Sequence, residues 1–406
     1  MSLPPWAPPP GPGGWDGEAY TGPPPTAPYG APPRVPGTYA GGPGGAVPWG
    51  PPGGAGVPAG PVPWPLGPVP LPPGPHGPAG PGPLPPGLTL APPPGTPPHD
   101  EPVPFLLAMR SRDWAWWRPL LGLLLFVVAY SVAAFVVVLV TLLTGIEPDL
   151  ELLDLVDPGV LLITNLSLIV AIPIVSLLWV AAHGMSPGWS ASVLARLRWR
   201  LFAPFTLRAL ATLGVGIGLS VVLGFAFGDG GVSGPVDDLV WLLLVVVLTT
   251  PIQSAAEEYV FRGYLSQAIA AWIRGPRAGA LVAAVVTAAL FSAAHAPGDV
   301  ATFLDRFAFG LAASAVVWLT GGLEAAIVLH AVNNVLVFLL AGTLGDDVAT
   351  EEVPAGTGLL FLLLTVVAMA GYVALVAASR RKLRPELLTP ARDLRVPAGD
   401  PRTRGW

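Results

Sequence analysis

The sequence predicts an all-α polytopic membrane protein, with about eight transmembrane helices behind a long disordered Pro/Gly-rich N-terminal tail. Three observations carry this prediction. Hydrophobic residues make up 52% of the chain against 11% charged, and from about Trp114 they gather into runs long enough to cross a ~30 Å hydrocarbon core. Residues 1–104 hold 38 of the 53 prolines. The charges between the apolar runs alternate in sign from one loop to the next.

The tail comes first. A Pro/Gly-rich segment with few aliphatic clusters buries too little apolar surface to offset its ordering entropy, so residues 1–104 read as disordered, partly polyproline II. They lack the basic start, apolar stretch and small-residue cleavage site of a signal peptide. The transmembrane domain is expected over residues 105–385, and residues 386–406 form a short C-terminal tail. With no cysteine there is no disulfide framework and no thiolate nucleophile or metal ligand. The arginines never form a stripe beside stacking aromatics, which excludes a nucleic-acid partner.

Spans are expected at roughly 119–144, 159–182, 206–227, 239–258, 279–296, 303–320, 322–341 and 358–379. Arg110, Arg112 and Arg118 precede the first span, and Glu147, Asp149, Glu151, Asp154 and Asp157 follow it. Arg196, Arg198, Arg200 and Arg208 separate the second and third, and Asp229, Asp237 and Asp238 precede the fourth. Arg274 and Arg277, then Asp299, then Asp346, Asp347, Glu351 and Glu352, then Arg380, Arg381, Lys382 and Arg384 continue the alternation. By the positive-inside rule the protein is integral to the plasma membrane, with both termini cytoplasmic and the acidic loops outside.

The most informative residues are Glu257 and Glu258, in Glu257-Glu258-Tyr259-Val260-Phe261-Arg262 at the end of an apolar run. Each costs about 2.5–3.5 kcal/mol at mid-bilayer, so such groups pair, line a polar cavity or carry chemistry. Later spans add His295, in Phe291-Ser292-Ala293-Ala294-His295, and His330 with Asn334, in His330-Ala331-Val332-Asn333-Asn334. Glu257 and His295 fall at opposite ends of their spans when each is counted alone. The helical pattern, however, runs past Arg262 to the breaker Arg274-Gly275-Pro276. Spans four and five then form a hairpin in which Glu257 and His295 are level within about 3 Å. Its first arm is longer than the membrane, so it must tilt, kink near Pro251 or protrude.

These groups suit a reaction centre. Glu257 with His295 can deprotonate a water for attack on a peptide carbonyl, and His330 and Asn334, stacked at i and i+4, carry donors for the oxyanion. Glu258 and Arg262, also i and i+4, read as a structural ion pair, and Phe291 as packing. The plainer alternatives are a helix-end salt-bridge cluster, satisfied core histidines, and an asparagine that glues helices. A metal reading stays open, because Glu257, His295 and His330 would make a three-ligand zinc site with room for a water. Against it, there is no His-Glu-x-x-His helix and Asn334 is a poor ligand.

At these residues the chain resembles the CPBP family of CAAX proteases and bacteriocin-processing or immunity proteins. The family's motifs, Glu-Glu-x-x-x-Arg, Phe-x-x-x-His and His-x-x-x-Asn, match Glu257–Arg262, Phe291–His295 and His330–Asn334 in order, over about residues 240–341. The resemblance implies an intramembrane endopeptidase acting on a peptide or protein substrate at the bilayer. Glu257 and His295 would activate water, His330 and Asn334 would stabilise the oxyanion, and Glu258 and Arg262 would support them. It favours metal-independent, glutamate-type catalysis, although the family is often labelled metalloprotease. Hydrolysis is expected near the cytoplasmic side of the bilayer. The competing readings are a non-catalytic membrane scaffold or immunity-type protein, and a proton-coupled transporter, which is disfavoured because the sequence shows no repeated halves or paired broken helices.

Overall fold

The computed structural model describes residues 97–144, 155–227, 234–273, 275–345 and 358–391. The chain divides into Met1–Pro86 and Gly87–Trp406, and all described residues belong to the second unit. Most of the expected N-terminal tail and the charges Glu147, Asp149, Glu151, Asp154, Asp229, Arg274, Asp346, Asp347, Glu351 and Glu352 lie outside the described residues.

Among the described residues there are helices and no strands. In chain order they are α1 (Arg118–Thr144), α2 (Pro158–Ile169), α3 (Ala171–Ala181), α4 (Phe202–Ala209), α5 (Val215–Phe227), α6 (Leu239–Val260), α7 (Ser266–Trp272), α8 (Pro276–Ala294), α9 (Val300–Thr320), α10 (Glu324–Leu344) and α11 (Gly358–Leu383). Eight of the resulting spans are long and apolar enough to cross a membrane, as expected. Leu124, Val215, Val240, Leu281 and Val367 point their side chains outward from these helices, the arrangement that lipid rather than water tolerates.

Local chemistry sets the ends. Asp157 caps α2 by accepting from Val160 N at 2.7 Å, with Pro158 in the first turn. Asp299 caps α9 by accepting from Thr302 N at 2.9 Å, and Gly321 ends that helix at φ +69°, a left-handed position that suits glycine. The expected hairpin is present, its first arm running unbroken from Leu239 to Trp272 over 34 residues. The irregularity is not at Pro251, which α6 absorbs, but in a π-helical turn over Phe261–Leu265. Close packing drives it: Arg262, Gly263 and Tyr264 are all buried there, and a Cβ on Gly263 would come within 2.7 Å of Ser190 O. The third span starts earlier than expected, at Trp199, because α4 and a second π turn over Leu210–Gly214 continue α5.

One end of the bundle is fastened by a buried fork. Arg198 Nε and Nη2 donate to Glu324 Oε1 and Oε2 at 2.9 and 2.6 Å, and Arg198 Nη1 donates to Glu386 O at 2.8 Å. The expected domain limits are corrected here. Residues 97–104, assigned by composition to the tail, are packed: His99 is buried, its Nε2 is 2.7 Å from Ala108 O, and its ring meets Trp189 edge-on. Thr389 N donates to Val103 O at 2.8 Å and Pro104 bridges Leu388, so 386–391 also belongs to the domain. The two stretches supply each other's backbone partners, which a composition window cannot register.

Just past the end of α3, His183 is buried against Tyr264, Nε2 to Oη 3.1 Å, and burial, with a smaller push from Arg118, lowers its pKa to about 4. The fold therefore holds this imidazole neutral. Its contribution is intact above the unfolded pKa near 6.5 and is lost as pH falls through the folded value. Melting temperature in detergent should drop as pH is lowered from about 6.5 towards 4, and the drop should be shallower in His183→Gln.

Candidate active site

The sequence-predicted residues converge. Glu257 and Glu258 are consecutive on α6, His295 caps the far end of α8, and His330 and Asn334 lie one turn apart on α10. Glu257 Oε2 is 3.8 Å from His295 Nε2 and 4.0 Å from His330 Nε2. The packing of Phe291 sets this approach. Its ring stacks on Phe309 and meets His295 and His330, while its carbonyl holds His295 Nδ1 at 2.8 Å.

The two glutamates have separate surroundings. Glu258 is wholly buried, and its Oε1 accepts from Arg262 Nη1 at 2.9 Å and from His330 Nδ1 at 2.9 Å. Arg262 is also wholly buried. Its Nη2 donates to Gly310 O at 3.2 Å and its guanidinium lies 4.7 Å from the Phe291 ring centre. The expected Glu258–Arg262 pair is present, but Glu258 has a second task that spacing did not reveal, which is to orient His330. Gly310 makes room for this cluster, since a Cβ there would sit 2.7 Å from Ala288 and 3.3 Å from Arg262 Nη2.

Glu257 faces a cavity of about 440 Å³. Gln253, one turn earlier on α6, donates to its Oε1, whereas its Oε2 is buried with no hydrogen-bond partner. Sequence reasoning passed over Gln253, although the i−4 spacing was a usable signal. Asn333, whose Nδ2 donates to Asn334 Oδ1 at 3.3 Å, was also missed, and it leaves the Asn334 amide hydrogens free to point elsewhere. Asp305 and Arg306, given no role from sequence, line the cavity too, and Arg306 Nη1 donates to His295 O at 3.1 Å.

Hydrogen bonding constrains the protons. A carbonyl only accepts, so His295 Nδ1 carries a hydrogen, and a neutral ring then turns a lone pair on Nε2 towards Glu257. A water placed between the two would donate one hydrogen to each and keep an oxygen lone pair. His330 donates from Nδ1 to the Glu258 carboxylate, and as an imidazolium it also aims an Nε2–H into the cavity.

Zinc fits less well. Tetrahedral zinc with ligands at about 2.0–2.2 Å holds them about 3.3–3.5 Å apart, shorter than the 3.8 and 4.0 Å from Glu257 to the two histidines. Among the described residues no group of three His, Asp or Glu side chains has the placement to hold a metal ion. As placed, Glu257, His295 and His330 do not fit that group.

Removing one partner from a buried ion pair leaves an uncompensated charge, at a cost of about 3–5 kcal/mol. Arg262→Met should destabilise the protein by that order in thermal unfolding in lipid nanodiscs. Glu258→Gln/Arg262→Met together should recover part of the loss.

Residues 237–336 match the family model described as Rce1-like, type II CAAX prenyl endopeptidase Rce1-like. No curated protein and no solved structure matches the chain. The matched interval contains all three motifs in order, and this match supports the resemblance of the membrane domain to the CPBP, or CAAX-protease, family.

Proposed function

We propose that this protein is an intramembrane endopeptidase that hydrolyses a peptide bond of a membrane-associated or peptide substrate, with Glu257 as general base. One observation carries the reading: the unpartnered Oε2 of Glu257 faces a cavity between two imidazoles. An acceptor left open in a buried site is costly unless a ligand or water completes it.

The reaction follows from the proton positions. A water hydrogen-bonded to Glu257 Oε2 and His295 Nε2 gives its proton to Glu257 as its oxygen bonds to the carbonyl carbon. The C=O pair moves onto oxygen, and the oxyanion is held by His330 Nε2–H and the Asn334 amide, whose donors are fixed before the charge develops. Glu257 then returns the proton to the leaving nitrogen, the oxyanion's pair re-forms the C=O bond as the C–N bond breaks, and a carboxylic acid and an amine are released. Glu258 and Arg262 keep His330 in register without touching substrate. Gln253 holds one Glu257 oxygen so that the other faces the cavity. We further propose that the bilayer is the plasma membrane and that the cationic ends of the helices are cytoplasmic.

Membrane peptidomes of cells carrying wild-type protein or Glu257→Gln test this. Glu257→Gln preserves shape and should cut cleavage by about 10²–10⁴-fold, as should His295→Ala. Asn334→Ala should lower turnover by about 10²–10³-fold. A chelator should leave wild-type cleavage unchanged. Unaltered processing by Glu257→Gln overturns the base assignment and favours a non-catalytic scaffold.

A further inference from the structure

We infer that the catalytic cavity opens at the acidic, extracytoplasmic end of the bundle, so the substrate reaches Glu257 from outside the cell rather than from the cytosol. The sequence-based expectation of cleavage near the cytoplasmic side concerns the depth of the site, whereas this inference concerns the side from which it opens. Its substrate class rests on the proteolytic reading above, whereas the direction of opening rests on the geometry of the cavity and on the positive-inside rule.

The ends of the helices differ in charge. Every described arginine and the lysine, apart from Arg262 and Arg306, lies towards one end, beside the Arg198–Glu324 fork and the α7–α8 turn. Asp157, Asp237, Asp238 and Asp299 lie at the other. The positive-inside rule makes the first end cytoplasmic, each juxtamembrane cation adding to the bias.

The cavity runs from the catalytic level to the acidic end. Val337 and Phe338 line it between His330 and the end of α10, Leu161 near the start of α2, and Asp305 and Arg306 near the start of α9. Exposure rises the same way, from 0% for the Glu258 and Arg262 side chains to 11% for Glu257 and 34% for His295. On the cytoplasmic side the site is closed by Glu258, Arg262, Gln267 and Glu324, each fully buried.

The walls are unequal. From Glu257, α6 runs about 27 Å back to Leu239, and from His330, α10 runs about 21 Å on to Leu344. By contrast α8 stops at His295, and only a short turn precedes α9, tied down by Ser292 Oγ to Phe303 O at 2.8 Å and Arg306 Nη1 to His295 O at 3.1 Å. A chain approaching from outside meets its lowest wall at this turn, next to His295. The matching substrate is a translocated peptide or an extracytoplasmic segment of a membrane protein. A cytosolic prenylated C-terminus would meet the sealed side.

The chain has no cysteine, so single cysteines report on topology without background. Gly298 is exposed at the α8–α9 turn and a Cβ there meets nothing within 4 Å; Gly275 is exposed at the opposite turn, its Cβ 3.6 Å from Ala278. Intact cells expressing full-length Gly298→Cys, Gly275→Cys or Val337→Cys are treated with a membrane-impermeant thiosulfonate cation. Labelling of Gly298→Cys and Val337→Cys is expected in intact cells, with Gly275→Cys labelled only after permeabilisation. The opposite pattern at the two turns overturns the orientation. Labelling of Gly298→Cys without Val337→Cys until permeabilisation overturns the outward opening. None of these readings needs catalysis, so a wrong proteolytic assignment leaves the labelling result intact and shows only in the Glu257→Gln peptidome.

Discussion

The site depends on one fully buried charge cluster, in which Arg262 and His330 both donate to Glu258 Oε1. Desolvating a carboxylate and a guanidinium costs several kcal/mol apiece, and only good geometry with further hydrogen bonds offsets it. Both conditions are met by elements distant in sequence. Gly310 on α9 offers a carbonyl, Phe291 on α8 a ring face, and α10 the imidazole. The cluster thus ties α6, α8, α9 and α10 together at one level. The π turn at Phe261–Leu265 lies within it, an extra residue per turn that turns Arg262 inward beside Gly263 and Tyr264.

Two neighbouring glutamates consequently do different things. Consecutive residues on a helix are rotated by about 100° from one another, so Glu257 and Glu258 face different surroundings, with His330 between them, its Nδ1 on Glu258 and its Nε2 4.0 Å from Glu257. Glu258 faces the packed interior, paired with Arg262 and hydrogen-bonded to His330. Glu257 faces the cavity, with one oxygen held by Gln253 and the other open. Divergent environments for two adjacent carboxylates are what a base and its support require.

Much of this was legible in the sequence where a local rule applied. The breaker at Gly275-Pro276 made the hairpin visible, and with it the meeting of Glu257 and His295. The i, i+4 rule disclosed Glu258–Arg262 and His330–Asn334, and applied once more it would have disclosed Gln253. What stayed hidden was contact between remote segments. Arg198 and Glu324 looked like two loop charges until the fold buried them together. His99 and Val103 sat inside a proline-rich average until the C-terminal segment supplied their surroundings. The bond from His330 to Glu258 spans three helices and obeys no sequence spacing.

Depth and direction are separate properties of a membrane site, and here they diverge. Measured along α10, His330 is only about 9 Å from Glu324 at the cationic end, which agrees with the expectation of a site nearer that side. Access depends instead on where packing ends. The cationic side is filled by the Glu258 cluster and the Arg198–Glu324 fork, each needing low dielectric and full hydrogen bonding to persist. Water admitted there would weaken the ion pairs that position His330. The polar route therefore has to arrive from the other side, where Asn165, Asp305, Arg306 and Asn333 line the wall. A deep site with its wet face away from its nearest surface reconciles a rigid, dry support for the proposed oxyanion donors with a proposed base that meets water.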